Sequence, residues 1–463
     1  MKPLLTLTLA IALTAQCADI HAQNEINDQN TPLHLMQPQY DTPYGIPEEK
    51  DVKATIDRVL TYLEQAMPAK VEDGRLAKGS FRLTSYEAGV LYAAMLNAAS
   101  STGDERFARF ATDRLSLIAT QAPKELRELK KDKEYDAQMR MVLFPGALDD
   151  CGAMASAYCR LCIMKPGRLP YGAYTAVIDR YMNFVRNGQY RLPDGIFARH
   201  RPHHNTVWLD DMYMGVPCMA WHGVMNDDVT AIHDAVKQIK LFKERMWMPE
   251  KKLFRHGWVE SMTPHPAYHW GRANGWGLLT MCEVLDAISK NGNTTNTQKD
   301  RAFVLDLLQQ HIEGLSALQD KTGFWHQLLD RQDTYLETSC TAIYTYCMAH
   351  AINEGWIDAQ TYGAQVLLAW QACQTKVNGK GQVEGTCVGT GMGFEPAFYA
   401  YRPVHHMAAH GYGPMIWAGS EVIRMLRNTH PKMNDSAIQF YKTRQNTDKP
   451  IFTEGNPDTE ILW

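Results

Sequence analysis

The chain has 463 residues, a formal net charge of −4, 45% hydrophobic residues and 10% aromatic residues. This charge balance, without any long basic run, argues against a nucleic-acid partner. The length suits one large domain or two or three small ones. The ten cysteines lack the dense, even spacing of a disulfide scaffold. We therefore interpret most of them, including Cys159 and Cys162, as buried apolar residues rather than redox or metal groups.

The N-terminus has the layout of a secretory signal peptide over residues 1–22. Lys2 gives a positive start, Leu4 to Leu13 form a short apolar run, and small and polar residues lead to Ala22. The apolar run is too short to span a bilayer, so we expect cleavage after Ala22 and release to the periplasm or the medium. Cys17 leaves a lipoprotein open, although the bulky Gln16 before it disfavours lipid attachment. No later stretch has the length and apolarity of a membrane span.

The rest of the chain is predicted to be all-α. Residues 23–50 are polar and rich in proline, which predicts an extended arm. From Asp51, apolar residues such as Val52, Ile56 and Val59 recur at helical spacing. Similar stretches follow at 86–101, 104–120, 150–163, 172–186, 211–223, 228–246, 275–289, 300–316, 338–352, 358–374 and 413–426. We expect a catalytic domain of helices over residues 51–430 and a polar tail over residues 431–463.

The connections between these helices carry a weak repeat. A short pattern recurs: Gly or Lys, then an aromatic or apolar residue, then a polar residue. The aromatic or apolar residue of each copy marks its position, and these residues are Phe197, Phe254, Trp325 and Val383. The markers are 57, 71 and 58 residues apart, the length of two helices with their loops. About six such hairpins can close into an (α/α)6 barrel, whose cleft is lined by loops and by the N-termini of the inner helices. An open α-solenoid is the alternative that the repeat leaves open.

Two pairs of acidic residues open apolar helical segments. The first pair is Asp149 and Asp150. The second pair is Asp210 and Asp211, which follows Trp208, and Asp210 lies 61 residues after Asp149. An Asp at a helix start caps the helix, but one of each pair is enough for that purpose. The other is a candidate acid or base. Neighbouring inner helices of a ring would present both carboxylates to one cavity, where their pKa values can separate.

A second cluster runs from His269 to Trp276 and contains Trp270, Arg272 and Asn274. Tryptophan faces stack on sugar rings, and the Arg fork fits a carboxylate, so the cluster predicts carbohydrate binding. An aromatic core with Arg272 in a salt bridge is the structural alternative.

Other motifs are weak. The chain has no His-Glu-x-x-His motif, and Gly389 to Gly393 lack the preceding strand of a nucleotide-binding fold. The pairs His203-His204 and His405-His406 are weak signals for a metal. We therefore expect no metal and no other cofactor.

At these residues the chain resembles the unsaturated rhamnogalacturonyl hydrolases, relatives of the unsaturated glucuronyl hydrolases. The resemblance covers about Asp51 to Arg427 and rests on Trp-x-Asp-x-x-Tyr-Met (Trp208 to Met214) and Trp-Gly-Arg-x-Asn-Gly-Trp (Trp270 to Trp276). Further support comes from Leu148-Asp149, Tyr335 to Ser339, Tyr401 to Pro403, and His410-Gly411. The resemblance implies an (α/α)6 barrel, in agreement with the number of hairpins.

The resemblance also implies an activity. A 4,5-unsaturated uronic acid would be removed from the non-reducing end of a lyase-generated oligosaccharide by hydration of its enol ether. Asp210, matching the catalytic acid, would protonate C4, and its carboxylate would activate the water that attacks C5. Since Asp210 must start protonated, we expect its pKa to be raised by apolar Trp208 and nearby Asp149. Asp149 matches a second acidic position, with a role in electrostatic support and hydroxyl binding.

Several residues match positions along the pocket of the family or adjoin its acid. Trp270 and Trp276 would stack on the sugar, and Arg272 and His256 would offer hydrogen bonds. The full set of predicted substrate-binding residues is Tyr86, Trp208, Met214, His256, Trp270, Arg272 and Trp276. Ala273 replaces the usual Gly after the Arg, a mild change. The His that the family often places before Trp208 has four candidates, which are Arg199, His200, His203 and His204.

Three hypotheses about function follow. The leading one is hydrolysis of unsaturated rhamnogalacturonan fragments. The second changes only the substrate, to unsaturated glucuronyl units from ulvan, arabinogalactan or glycosaminoglycans, because the double bond erases the difference at C4. The third is a carbohydrate-binding toroid without catalysis, against which Asp210 and Asp149 count. An oligosaccharide is the only partner that we predict.

Overall fold

The computed structural model describes residues 43–445 apart from 132–133, 166–169, 292–294 and 435. The predicted signal peptide and most of the predicted arm lie outside the described residues. The described end of the arm, residues 43–48, has no helix or strand, and the first helix begins at Glu49. The helical domain thus starts two residues before the predicted boundary at Asp51.

Twelve long helices account for most of the described chain, and each coincides with a predicted segment. They are α1 (Glu49–Ala66), α2 (Tyr86–Thr102), α3 (Glu105–Leu129), α4 (Leu148–Met164), α5 (Tyr171–Asn183), α6 (Asp210–Met225), α7 (Val229–Met246), α8 (Gly271–Lys290), α9 (Thr295–Ser316), α10 (Thr338–Asn353), α11 (Ala359–Thr375) and α12 (Tyr412–Thr429). The largest difference is in α3, which continues through Pro123 instead of ending near residue 120. Short helical segments lie at Ala137–Met139, Arg140–Leu143, Phe184–Gly188, Pro396–Ala400 and Ala409–Gly411.

The even-numbered helices form a closed inner ring. Helix α2 packs on α4, α4 on α6, α6 on α8, α8 on α10, α10 on α12, and α12 on α2 again. The odd-numbered helices pack outside this ring. Helix α2 is buried at every position from Ala88 to Leu96, whereas α1 buries a stripe that includes Val52, Ile56 and Val59, as expected of inner and outer helices. The fold is therefore the predicted (α/α)6 barrel and not an open solenoid.

Ten short strands form five antiparallel pairs in the connections. They are β1 (Val71–Glu72) with β2 (Arg75–Leu76), β3 (Thr206–Trp208) with β6 (Gly257–Val259), β4 (Trp247–Met248) with β5 (Leu253–Phe254), β7 (Trp325–His326) with β8 (Leu336–Glu337), and β9 (Lys432–Met433) with β10 (Ile438–Gln439). Three of the repeat markers, Phe197, Phe254 and Val383, pair with Arg191, Trp247 and Val377 in tight hairpins. The sequence repeat thus corresponds to a structural repeat.

The predicted polar tail, residues 431–463, is described as far as residue 445 and is not free at its start. The side chains of Phe440 and Tyr441 are fully buried, and the Tyr441 N–H donates to the Thr429 carbonyl at 2.6 Å. The Phe440 ring lies against Gly363 in α11, where a Cβ would come within 2.2 Å of it. The globular domain therefore extends beyond residue 430, because apolar contacts hold this segment against the barrel.

The cysteines behave as expected. All nine in the described part of the chain are buried and unpaired, including Cys159 and Cys162. Of the helices that the structure describes, none combines the length and apolarity needed to cross a membrane.

Candidate active site

The inner helices all begin at one end of the barrel, and their first turns carry polar residues. These are Tyr86 in α2, Asp149 in α4, Asp210 in α6, Arg272 in α8 and Ser339 in α10. Burial and Glu87 raise the pKa of the Tyr86 phenol, and Arg272, Asp149 and Asp210 lie close enough to modify that shift. These groups therefore share one space. Helix N-termini present unpaired N–H groups, so this end of the ring favours an anionic ligand.

Asp210 is the first residue of α6 and is held by a histidine. Its Oδ2 accepts a hydrogen bond from His256 Nε2 at 2.9 Å. His256 lies there because β3 pairs with β6, and because the Leu209 N–H donates to the His256 carbonyl at 2.9 Å. The Asp210 side chain is 15% exposed and that of His256 only 1%. The acid is thus oriented by a buried partner while it stays open to a ligand.

The expected rise in the pKa of Asp210 is wrong. Burial raises this pKa, but His256, Arg199 and Arg272 outweigh burial and leave it below its usual range. Asp149 does not raise the pKa of Asp210 as expected, because it forms an ion pair with Arg199. A carboxylated sugar would add a negative charge and displace water, and both effects raise the pKa of a carboxylic acid.

Arg199 holds two carboxylates together. Its Nε and Nη2 donate to Asp211 at 2.8 and 2.6 Å, and its Nη1 and Nη2 donate to Asp149 at 3.1 and 2.9 Å. Of the four candidates for the position before Trp208, Arg199 is the one whose contacts reach these acids. The rings of His200 and His204 instead contact Tyr190 and each other, and that of His203 contacts Phe394.

In both acidic pairs the first residue is the more exposed one. The Asp211 side chain is 1% exposed, against 15% for Asp210. The Asp150 side chain is 9% exposed, against 29% for Asp149. Asp150 accepts the Gly146 N–H at 2.8 Å and pairs with Arg140 at 2.7 Å. Asp211 and Asp150 are thus structural, and Asp210 and Asp149 can meet a ligand.

A cleft of about 610 Å³ opens at this end of the barrel, with Tyr86, Asp149 and Arg201 in its lining. Tyr86 Oη lies 2.5 Å from His410 Nε2, and burial holds the pKa of His410 well below its usual range. The Arg201 side chain is 66% exposed, 3.9 Å from Asp149, and its guanidinium lies 5.2 Å from the centre of the Trp208 ring. The cleft therefore offers neutral and charged donors beside the acids.

Trp270 and Trp276, predicted to stack on the sugar, are 1% and 2% exposed. Trp276 stacks on Tyr213 with 5.0 Å between ring centres. The Trp270 ring is approached by the Arg272 guanidinium at 4.5 Å and by the His256 ring at 4.7 Å. Both rings are thus occupied in packing, and stacking on a sugar stays a prediction.

Trp208 and Met214 also pack within the protein. Trp208 is 7% exposed, and its Nε1 donates to the Arg201 carbonyl at 2.9 Å. Met214 is 2% exposed, and its carbonyl lies against Gly152 of α4, where a Cβ would come within 1.5 Å of that oxygen. Met214 therefore serves the contact between α6 and α4, and its predicted substrate contact stays a prediction.

Arg272 uses its donors inside the protein. Its Nη1 and Nη2 donate to the Cys387 and Val388 carbonyls at 2.7 and 2.8 Å. Buried Glu337 holds the same loop, because it accepts the Cys387 N–H at 2.9 Å and the Cys340 N–H at 2.7 Å. Arg272 thus binds backbone carbonyls rather than the salt-bridge partner that the alternative of an aromatic core required. Its Nη1 and Nη2 donors are also not free to bind a sugar. It fixes a loop beside the acid.

Three further residues of the site, Arg201, Tyr399 and His410, were missed by sequence reasoning. Tyr399 Oη lies 2.7 Å from His256 Nδ1, and His410 contacts Tyr86. His410 belongs to one of the motifs on which the family resemblance rests, and that motif could have identified it. Tyr399 belongs to none of these motifs. Within the described residues, no group of three or more His, Cys, Asp or Glu side chains is placed to hold a metal ion.

The fold and the site define an (α/α)6 barrel with a histidine-bound carboxylic acid where its inner helices begin. The chain belongs to Glycosyl Hydrolase Family 88, whose family model matches residues 55–426. It is 30% identical over 137 residues to the unsaturated rhamnogalacturonyl hydrolase of Bacillus subtilis, covering 29% of this chain and 38% of that protein. It is 26% identical over 229 residues to an unsaturated 3S-rhamnoglycuronyl hydrolase of Formosa agariphila, covering 47% and 58%. These matches thus span well under two thirds of either relative.

Solved structures share the fold. A possible GH105 family member from Salmonella enterica serovar Paratyphi A has a TM-score of 0.65 at 20% identity, covering 86% of this chain and 99% of that chain. The unsaturated glucuronyl hydrolase of Bacillus sp. GL1 has a TM-score of 0.53 at 12% identity, covering 82% and 96%. At such identities the likeness shows the fold alone. The predicted family and the predicted barrel are both confirmed.

Proposed function

We propose that this protein is a glycosidase that removes a 4,5-unsaturated uronic acid from lyase-generated oligosaccharides, with rhamnogalacturonan fragments as substrates. The observation that carries the proposal is Asp210, a part-exposed acid bound to buried His256 where six inner helices begin. The Bacillus subtilis relative, an unsaturated rhamnogalacturonyl hydrolase, supports the choice of substrate. The predicted signal peptide leads us to propose further that the protein acts outside the cytoplasm.

The first step needs a protonated acid. The pKa of Asp210 lies below its usual range, and the bound uronate raises it by its own charge and by excluding water. The acid then protonates C4, so that its O–H bond and the C4=C5 π bond break and a C4–H bond forms. Positive charge develops at C5 and the ring oxygen, and the Asp210 carboxylate stabilises it.

The second step returns the proton. A water molecule attacks C5, the C5–O bond forms, and the Asp210 carboxylate takes the proton that the water gives up. The resulting hemiketal opens and releases the next sugar. Since a single carboxyl group serves both steps, the usual relation between carboxylate separation and stereochemical outcome does not apply.

The surrounding groups bind the sugar. Asp149 pairs with Arg199, which it shares with Asp211, and at 29% exposure it accepts hydroxyl hydrogen bonds. Burial and Glu87 raise the pKa of Tyr86, so its phenol stays neutral in the cleft beside His410. Arg201, 66% exposed in the cleft, supplies a positive charge for the uronate or for a group on the next sugar.

The test follows the ultraviolet absorbance of the enol ether in unsaturated disaccharides from rhamnogalacturonan, ulvan and glycosaminoglycan lyase digests. We expect the fastest loss with the rhamnogalacturonan disaccharide, and a rate about 10²- to 10⁴-fold lower for Asp210→Asn. The control variant is Asp300→Asn, whose carboxylate pairs with His233 and Lys240 on the outside of the barrel. Unchanged loss with Asp210→Asn would assign the acid elsewhere.

A second substrate has its own support. The Formosa agariphila relative is an unsaturated 3S-rhamnoglycuronyl hydrolase, and Arg201 could bind a sulfate as well as a carboxylate. Faster turnover of the ulvan disaccharide would make this candidate the substrate. No loss with any disaccharide would favour the carbohydrate-binding toroid.

A further inference from the structure

Three hydrogen bonds in series lead from the backbone to Asp210. The Gly393 N–H donates to Tyr399 Oη at 2.9 Å. Tyr399 Oη lies 2.7 Å from His256 Nδ1, and His256 Nε2 lies 2.9 Å from Asp210 Oδ2. Tyr399 is fully buried, and His256 is 1% exposed. These bonds are therefore shielded from competing water.

The direction of the series follows from the number of protons. A backbone N–H can only donate, so Tyr399 Oη must accept from Gly393. Burial raises the pKa of Tyr399 above its usual range, so the phenol keeps its one proton and donates it to His256 Nδ1. Nδ1 then acts as an acceptor, and the ring proton lies on Nε2. The reverse direction would leave the phenol proton without an acceptor among the described neighbours.

We propose that Tyr399 is a positioning residue that fixes the tautomer of His256 and thereby fixes which oxygen of Asp210 carries the catalytic proton. His256 Nε2–H donates to Asp210 Oδ2, and the carbonyl oxygen of a carboxylic acid is its better acceptor. The acid proton therefore rests on Oδ1. The same Oδ1 delivers the proton to C4 and takes it back from water. This role rests on the proposed function.

Other ionisable groups face Asp210 and belong in any pH analysis. They are His256 and Tyr399 on its hydrogen-bonded side, with Arg199, Arg272, Tyr86, Asp149 and Asp211 around it. Arg199 and Arg272 keep their charge at all working pH values, so a change in tautomer at His256 would alter the pH profile without altering these charges.

The first experiment needs no substrate. The whole protein is labelled with ¹⁵N-histidine, and the His256 signals are assigned by their loss in His256→Gln. We expect Nε2 to carry the proton and Nδ1 to carry the lone pair in the wild type. In Tyr399→Phe, which keeps the ring and removes the hydroxyl, we expect the two nitrogen shifts to move toward a mixture of tautomers. A proton on Nδ1 in the wild type would overturn the proposal even if Tyr399→Phe does not fold.

The second experiment measures kcat and KM against pH on the best disaccharide. Tyr399→Phe should lower kcat on the order of 10- to 100-fold, less than loss of the acid itself, with KM little changed and the pH profile displaced. The matched control is Tyr346→Phe, another buried tyrosine, whose hydroxyl makes no hydrogen bond within the described part of the chain. It should leave kcat unchanged.

A double variant separates positioning from packing. The Gln of His256→Gln places an amide N–H donor near Asp210 and has no tautomers. In that background, Tyr399→Phe should cause no further loss of kcat, so the two effects are not additive. Equal losses in both backgrounds would reduce Tyr399 to a packing residue. Absence of any activity in the wild type would contradict the proposed function and leave the ¹⁵N result standing.

Discussion

The two ends of the inner ring contain similar charged groups but treat them differently. Where the helices begin, the Asp210 and Asp149 side chains are 15% and 29% exposed. Where they end, Arg160 binds both oxygens of Glu283 at 2.6 Å, and the two side chains are 9% and 1% exposed. Trp221 Nε1 donates to the same carboxylate at 2.5 Å. The charged groups where the helices begin are thus accessible to a ligand. Those where the helices end are buried in an ion pair that stabilises the ring.

The larger of two cavities lies at the end where the inner helices finish. A groove of about 970 Å³ lies among the end of α10, the start of α11 and the neighbouring α9, and is larger than the cleft of about 610 Å³ beside Asp149. Its charged lining residues are Asp306, Glu313 and Asp358, which would repel a uronate. Lining chemistry rather than volume therefore supports the proposed site at the other end.

The largest expected effect comes from breaking the buried ion pairs where the inner helices begin. Arg199→Met leaves Asp211 buried without its partner, which should lower the free energy of unfolding by about 3–5 kcal/mol. The enol ether assay should also show a lower kcat, because Asp149 and Asp210 lose a shared positive charge. Urea unfolding and the assay check the two parts. Full activity in a destabilised variant would show that Arg199 has a structural role and no role in activity.

Arg160→Met is the matched change at the other end. It leaves Glu283 buried with only the Trp221 N–H, so the free energy of unfolding should again fall by about 3–5 kcal/mol. The same two measurements should show unchanged kcat in the folded fraction. A lower kcat would mean that the two ends are coupled and that the comparison fails.

The pH dependence of stability should sharpen the comparison. Burial lowers the pKa of His350, but Asp286 and Glu421 outweigh burial and raise it well above its usual range. Since the folded-state pKa lies above the unfolded value of about 6.5, this contribution is complete below about pH 6.5 and is lost as the pH rises through the folded-state pKa. The advantage of the wild type over His350→Asn in urea unfolding should therefore shrink from about pH 6.5 upward.

His222 provides the control of opposite sign. Burial and Arg186 lower its pKa, so protonation opposes folding and the wild type should lose stability relative to His222→Asn as the pH falls. The same trend in both variants would point to a general effect of pH rather than to these two sites.

The smallest effect is expected at the rim. Arg140 is 45% exposed where it pairs with Asp150, and solvent weakens such pairs. Arg140→Ala should therefore lower the free energy of unfolding by less than about 1 kcal/mol. A loss as large as that of Arg160→Met would show that exposure does not set the difference between the pairs.

Sequence reasoning recovered the architecture because it depends on local patterns. Helical periodicity marks all twelve helices, and the loop repeat marks the hairpins between them. The inner position of Asp149 and Asp210 followed from their place at helix starts. Only the end of α3 was badly misplaced, because Pro123 is accommodated inside a helix that otherwise packs well.

The electrostatics of the site could not be predicted in the same way. The pKa of Asp210 depends on His256, 46 residues away, and on Arg199, whose contacts no spacing rule specifies. Tyr399 lies 143 residues from His256. Such pairs depend on how loops cross between hairpins and on side-chain rotamers, neither of which periodicity reveals.

Ring closure has a consequence in time. Tyr86 and His410 are 324 residues apart in the chain, and α2 meets α12 only when the last hairpin has docked. Contacts this distant in sequence form late in folding. The cleft lined by Tyr86 is therefore completed only when the last hairpin has docked, after the contacts within the earlier hairpins have formed.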